Sequence, residues 1–166
     1  MAAPADRTRI LFVCLGNICR SPTAEIVFRS AANRAGLAHR VEIDSAGTGE
    51  WHVGNPPDYR AIAHAARRGY DLQPLRARQI SVADFDRFHW ILAMDRPILG
   101  DLEVMRPASF SGHLGLFLEH APQLSVREVP DPYDEGPECF ELVLDLIEQG
   151  SAAFAARLAE TLVPKR

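Results

Sequence analysis

Apolar positions follow two different rhythms along this chain. From Thr8 to Cys14 the run TRILFVC is apolar and β-rich, the pattern of a buried strand. From Pro22 to about Ala35 the residues favour helix, and Gly36 supplies a stop. Arg40–Gly47 predicts a second strand, and Gly49–Pro57, rich in breakers, a loop. A helix is expected from Asp58 to about Arg68, ending near Gly69. Ser81–Phe88 predicts a short helix with Ser81 as its cap. His89–Met94 reads as a third strand. A helix follows from Asp95 to about Met105, with Pro97 tolerated in its first turn. His113–Leu118 predicts a fourth strand, Pro122–Pro137 is mostly loop, and a last helix fills most of Glu138–Leu162.

Strands alternating with helices predict an α/β fold with a parallel sheet. Ligands of such sheets bind beyond the C-terminal strand ends. No repeat, linker or low-complexity tract divides the chain. Its 166 residues are therefore expected to form a single domain, with residues 1–6 disordered.

Composition narrows the function classes. A formal net charge of −4 argues against general binding to nucleic acid or anionic membrane. No apolar run is long enough to span a bilayer. The polar start MAAPADRTR lacks the apolar core of a secretory signal. Three cysteines, Cys14, Cys19 and Cys139, make no disulfide framework. A cytoplasmic setting is the expectation, with signal-less export left open.

One stretch, FVCLGNICRSPTAE (Phe12–Glu25), asks for chemistry rather than packing. Cys14 closes the first strand. Gly16 and Asn17 are residue types that tolerate left-handed backbone, so the loop can curl its N–H groups inward into an anion nest. Ser21-Pro22 reads as an N-cap and first helical residue. The free N–H groups and dipole of that helix face the same point. Arg20 adds a planar fork able to hold two phosphate oxygens. The pattern predicts a phosphate cradle over Leu15, Gly16, Asn17, Ile18, Cys19, Arg20 and Ser21, with Cys14 at its base as the nucleophile. The alternative is a buried structural cysteine beside a surface arginine. Nucleotide-binding glycine motifs are missing, and Cys14 and Cys19 lack the spacing of a dithiol or zinc motif. No cluster suggests a metal, and the six histidines read as surface or packing residues.

The segment Val13–Glu25 resembles the signature of the low-molecular-weight protein tyrosine phosphatases. Ser45–Asp58, Arg76–Ile80, Ile91–Asp95 and Asp131–Asp134 resemble further blocks of that family, in order. The resemblance implies a flavodoxin-like, four-stranded parallel sheet flanked by helices. It also implies metal-free, cofactor-free hydrolysis of phosphotyrosine, with Cys14 as nucleophile and Arg20 as phosphate clamp. Asn17 would hold the loop's strained shape, and Ser21 would hydrogen-bond the thiolate.

A phenolate leaving group needs a proton, so an acid must sit near the cradle. On the residues alone Asp131 and Asp134 are even choices. The family's Asp-Pro motif selects Asp131. Trp51 and Tyr133 are expected as aromatic walls for a flat aryl phosphate.

Two departures stand out. Many relatives carry a histidine where this chain has Leu75, so Asn17 needs another support. Asp134 replaces the second tyrosine of mammalian relatives, leaving Tyr133 as the phosphorylation candidate of that pair.

Cys19 is expected as a redox partner of Cys14. The extended span between them is about 16 Å, and a curled loop shortens it toward the 4.4–6.8 Å a disulfide allows. Rival functions are an arsenate reductase, which lacks its downstream cysteine relay here, and a protein-arginine phosphatase, whose members tend to carry threonine at the Ile18 position. A non-catalytic phosphate-binding module is a third. The expected partner is a phosphotyrosine-containing protein, a bacterial tyrosine kinase or a host protein, met by a monomer.

Overall fold

In a computed structural model that describes residues 7–162, strand β1 (Thr8–Cys14) sits inside a four-stranded, all-parallel sheet. The expectation of disorder over residues 1–6 lies outside the described residues. β2 (Val41–Gly47) pairs with one edge of β1, and β3 (Trp90–Ala93) with the other. β4 (His113–Leu116) completes the order β2-β1-β3-β4.

Residues on β1 alternate between two cores, as a period of two requires. Ile10, Phe12 and Cys14 join the larger core. That core is built with α1 (Arg20–Arg34) and α5 (Pro137–Leu162), and α2 (Tyr59–Ala66) packs at its end through Ala61 and Ala65. Leu11 and Val13 face the opposite core, formed with Phe85 of α3 (Asp84–Arg87) and with Ile98 and Leu102 of α4 (Arg96–Met105). Burial on both faces explains why Ile10–Val13 is an unbroken apolar run.

From β1 the chain crosses to β2 on one side, then returns to β3 on the other. The strand order therefore reverses next to β1. A crevice opens at such a switch point, beyond the C-terminal end of β1, where Cys14 lies.

Several boundaries differ from the sequence expectation. α1 starts at Arg20, not Pro22, and Cys19 occupies the N-cap position without a side-chain cap bond. Ser21 is thus inside the helix, its hydroxyl freed for other contacts. Pro22 is still tolerated, because first-turn N–H groups have no intrahelical acceptor. Ser81 is not the cap of α3. Ala83 precedes that helix, and the Ser81 N–H instead donates to the Asp84 carboxylate at 2.8 Å. β4 stops at Leu116, and Phe117–His120 tightens into a 3-10 turn. Asp58 and Asp95 cap α2 and α4, accepting from the N–H groups of Arg60 and Ile98.

Candidate active site

The loop from Cys14 to Ser21 curls between β1 and α1. Asn17 is the only non-glycine residue among those described with positive φ, at 56°. Such strain persists only where surroundings over-determine it. Here they do. Asn17 Nδ2 donates to Ser21 Oγ at 2.8 Å and to Ser45 Oγ at 3.0 Å. Its Oδ1 accepts from the Arg78 backbone N–H at 3.0 Å. Ser45 in turn donates to Glu25 Oε1 at 2.7 Å. Burial raises the Glu25 carboxyl above the ordinary value, and the Ser45 hydrogen bond opposes that rise.

Gly16 was expected to share the left-handed conformation, and it does not. Its small size serves a close approach instead. A Cβ there would lie 2.8 Å from His52 Cδ2. Gly47 plays the same part beneath the loop, where a Cβ would meet Leu15 O at 2.7 Å.

Cys14 is buried at the base of the loop, with its Sγ 2.9 Å from Ser21 Oγ. Arg20 is also buried. One of its nitrogens, Nη1, donates to Asp95 Oδ2 at 2.5 Å and to Val129 O at 3.0 Å. The other, Nη2, lies 3.7 Å from Asp131 Oδ2. Burial alone would disfavour the charge on Arg20. Cys14, Asp95 and Asp131 more than offset it and raise its pKa above the ordinary arginine value. The guanidinium is thus fixed and charged.

These groups open into a cavity of about 270 Å³. Asp131 and Asp134 both reach its lining, so lining alone does not separate them. Asp131 is the one turned toward Arg20, and its Oδ1 accepts from the Tyr133 N–H at 3.1 Å. Trp51 and Tyr133 line the rim, both exposed. His52 stands between them, with ring centroids 6.2 Å from Trp51 and 6.3 Å from Tyr133. The Arg60 guanidinium lies 5.5 Å from the Tyr133 ring centroid and is held by Asp58. Cys19 lines the cavity while remaining buried. Burial first, then Asp58, Cys14 and Asp131, push its thiol well up, so it stays protonated.

Sequence reasoning missed four contributors. His52 was read as a surface or packing residue and instead forms part of the rim. Asp95, Ser45 and Glu25 fall inside the family-like segments Ile91–Asp95, Ser45–Asp58 and Val13–Glu25, but no role was assigned to any of them. Asp95 and Ser45 also lie toward the C-terminal edge of the sheet, Asp95 just after β3 and Ser45 two residues before the end of β2.

Comparison with known proteins identifies the family. Residues 9–163 match the family model described as low molecular weight phosphotyrosine protein phosphatase. The chain is 41% identical over 149 residues to the low molecular weight protein-tyrosine-phosphatase YfkJ of Bacillus subtilis, covering 90% of this chain and 94% of that protein. It is 39% identical over 145 residues to the human low molecular weight phosphotyrosine protein phosphatase, covering 86% and 90%. Among solved structures, the protein tyrosine phosphatase of Entamoeba histolytica with Hepes in its active site superposes with a TM-score of 0.88. That match has 33% identity and covers 93% of this chain and 98% of that one. The chain belongs to the low molecular weight phosphotyrosine protein phosphatases, a family of hydrolases.

Proposed function

We propose that this protein hydrolyses phosphotyrosine in proteins through a cysteinyl-phosphate intermediate. The observation that carries the reading is the convergence on one cavity of the Cys14 sulfur and the fixed Arg20 guanidinium, both buried, and of the exposed Asp131 carboxyl turned toward Arg20. In this reading the phosphoryl group rests in the loop Leu15–Ser21, its oxygens held by loop N–H groups and by Arg20. Cys14 attacks phosphorus as a thiolate, supported by the Ser21 hydroxyl and the α1 N-terminus. Asp131 gives its proton to the departing phenolate oxygen. It then takes a proton from the water that cleaves the S–P bond, releasing phosphate and restoring the Cys14 thiolate.

The rim explains a preference for aryl phosphates. A cavity walled by Trp51, His52 and Tyr133 offers flat apolar surface to a phenyl ring. Ile18 also lines the cavity, and its apolar side chain suits that ring better than a guanidinium. Cys19 serves as redox partner. Peroxide converts Cys14 to sulfenic acid, and the Cys19 thiol condenses with it to a disulfide with loss of water.

The test is turnover of p-nitrophenyl phosphate and of a phosphotyrosine peptide without added metal, with inhibition by vanadate. Cys14→Ser is expected to abolish turnover while vanadate or phosphate binding survives. Substantial turnover by that variant would sink the covalent route. Turnover of phosphoarginine in preference to phosphotyrosine would replace the substrate assignment.

A further inference from the structure

A second groove adjoins the cavity and shares two of its walls. It has a volume of about 350 Å³, and Leu15 and Trp51 belong to both hollows. Trp51 therefore acts as a partition, with the phosphate cavity on one side and the groove on the other. The far wall comes from the last turn of α4, where Val104 and Met105 supply apolar surface and Asp101 a carboxylate. Val104 is 89% exposed, on a helix whose Ile98 and Leu102 are buried and whose Leu99 and Met105 are half-buried.

The groove's position relative to the phosphate is fixed by backbone. The N–H of Thr48 donates to Cys14 O at 3.0 Å, and the N–H of Gly49 donates to Leu15 O at 2.9 Å. The Trp51 indole folds onto Gly49 so closely that a Cβ there would meet the ring at 2.4 Å. A chain whose phosphotyrosine enters the cavity therefore has a second hollow within reach, beyond Leu15 and Trp51.

Resting on the proposed phosphotyrosine reading, we infer that this groove is a substrate subsite for a lysine or arginine flanking the phosphotyrosine. The chemistry fits a side chain with an apolar stem and a cationic head. The stem lies along Leu15, Val104 and Met105, and the head meets Asp101 and the face of Trp51. Among the described residues, Asp101 is the sole charged member of the lining, and no cation competes there. An acidic flanking residue would be repelled.

The experiment compares kcat/KM for phosphotyrosine peptides in which lysine, norleucine, glutamate or glycine is stepped through the positions on either side. At one position lysine is expected to exceed norleucine by about two- to fivefold, the range of an exposed ion pair. That advantage should shrink at high salt. Asp101→Lys is expected to invert the preference toward glutamate, and Val104→Ser to weaken lysine and norleucine together. Both substitutions lie on exposed helix surface and should leave p-nitrophenyl phosphate turnover unchanged. Norleucine matching lysine at every position, or an unaltered preference in Asp101→Lys, would overturn the subsite. Equal turnover of all peptides would overturn it alone, whereas loss of all aryl phosphate turnover would overturn the phosphatase reading beneath it.

Discussion

His120 gives this protein an acid-sensitive point far from its candidate active site. The side chain is 6% exposed, between β4 and the second half of α5. Its ring lies 4.7 Å from Phe154, 5.4 Å from His113 and 5.6 Å from Trp90, centroid to centroid. Arg157 Nη1 sits 2.8 Å from His120 Nδ1, which makes Nδ1 the acceptor and leaves the neutral ring the better partner.

Burial, then Arg157 and His113, push the imidazole down from 6.5 to about 4. The unfolded chain protonates near 6.5 while the folded chain stays neutral, so the unfolded state binds more protons between those values. Stability therefore falls as pH drops through that window and levels below about 4. A difference of about 2.5 units corresponds to about 3 kcal/mol. For a chain of this length that is roughly 6–12 °C in Tm.

Other groups pull in known directions. The raised Glu25 carboxyl works the opposite way, becoming stabilising as pH falls. The lowered Asp58 and Glu141 carboxyls lose their contribution only below about their ordinary values of 3.8 and 4.5. His113 and His89 are also lowered by burial and add to the His120 slope. The His120 share is isolated by urea unfolding of wild type and His120→Gln from pH 7.5 to 4. The stability difference, wild type minus variant, is expected to shrink by about 3 kcal/mol across that range. Parallel curves would refute the reasoning.

At the site, Asp131→Ala is expected to slow p-nitrophenyl phosphate hydrolysis by roughly 10²-fold or more, with a smaller loss for leaving groups that need no proton. Asp134→Ala should do much less, and the reverse order would overturn the acid assignment. Tyr133→Ala and Trp51→Ala are expected to lower the ratio of aryl to alkyl phosphate kcat/KM. An unchanged ratio in both would remove the wall role. After peroxide and then a thiol reductant, wild type should recover activity and Cys19→Ala far less. Equal recovery would leave Cys19 as a packing residue.

The parts of this molecule that were legible in the sequence are those whose causes are local. β1 could be read because burial on both faces demands an unbroken apolar run, and the Cys14–Ser21 loop because strand end, small residues, arginine and helix start are contiguous. Helix starts were legible where an acidic cap exists, as at Asp58 and Asp95, and the last helix was placed to within one residue of its start at Pro137. At Ser21 the same cue misled. A serine before a proline reads as a cap, yet its hydroxyl is held by Cys14 and Asn17, and the helix begins at Arg20, two residues before Pro22. The roles of Asp95 and His52 were illegible for a different reason. Each acts on a group distant in sequence, Asp95 on Arg20 and His52 against Gly16. Only the strand order brings them there.

Leu75 carries the same lesson to the loop's support. Relatives with histidine at this position suggest that Asn17 needs a side-chain partner from that segment. An asparagine amide has two N–H donors and one carbonyl acceptor. Both donors are already used, on Ser21 and Ser45, and the carbonyl is met by the Arg78 backbone N–H. That N–H is aimed by backbone pairing of the 78–80 segment with Gly47, at 2.9 Å from Gly47 N to Arg78 O and 2.8 Å from Ile80 N to Gly47 O. Arg78 is further tied to Asp44 and Asp84. Ser45 in turn is oriented by Glu25, a buried carboxyl on α1. The brace thus closes on itself through α1, β2 and the 78–80 segment. A leucine at position 75 leaves none of the Asn17 polar groups without a partner, which is why the strained φ at Asn17 can persist without the histidine.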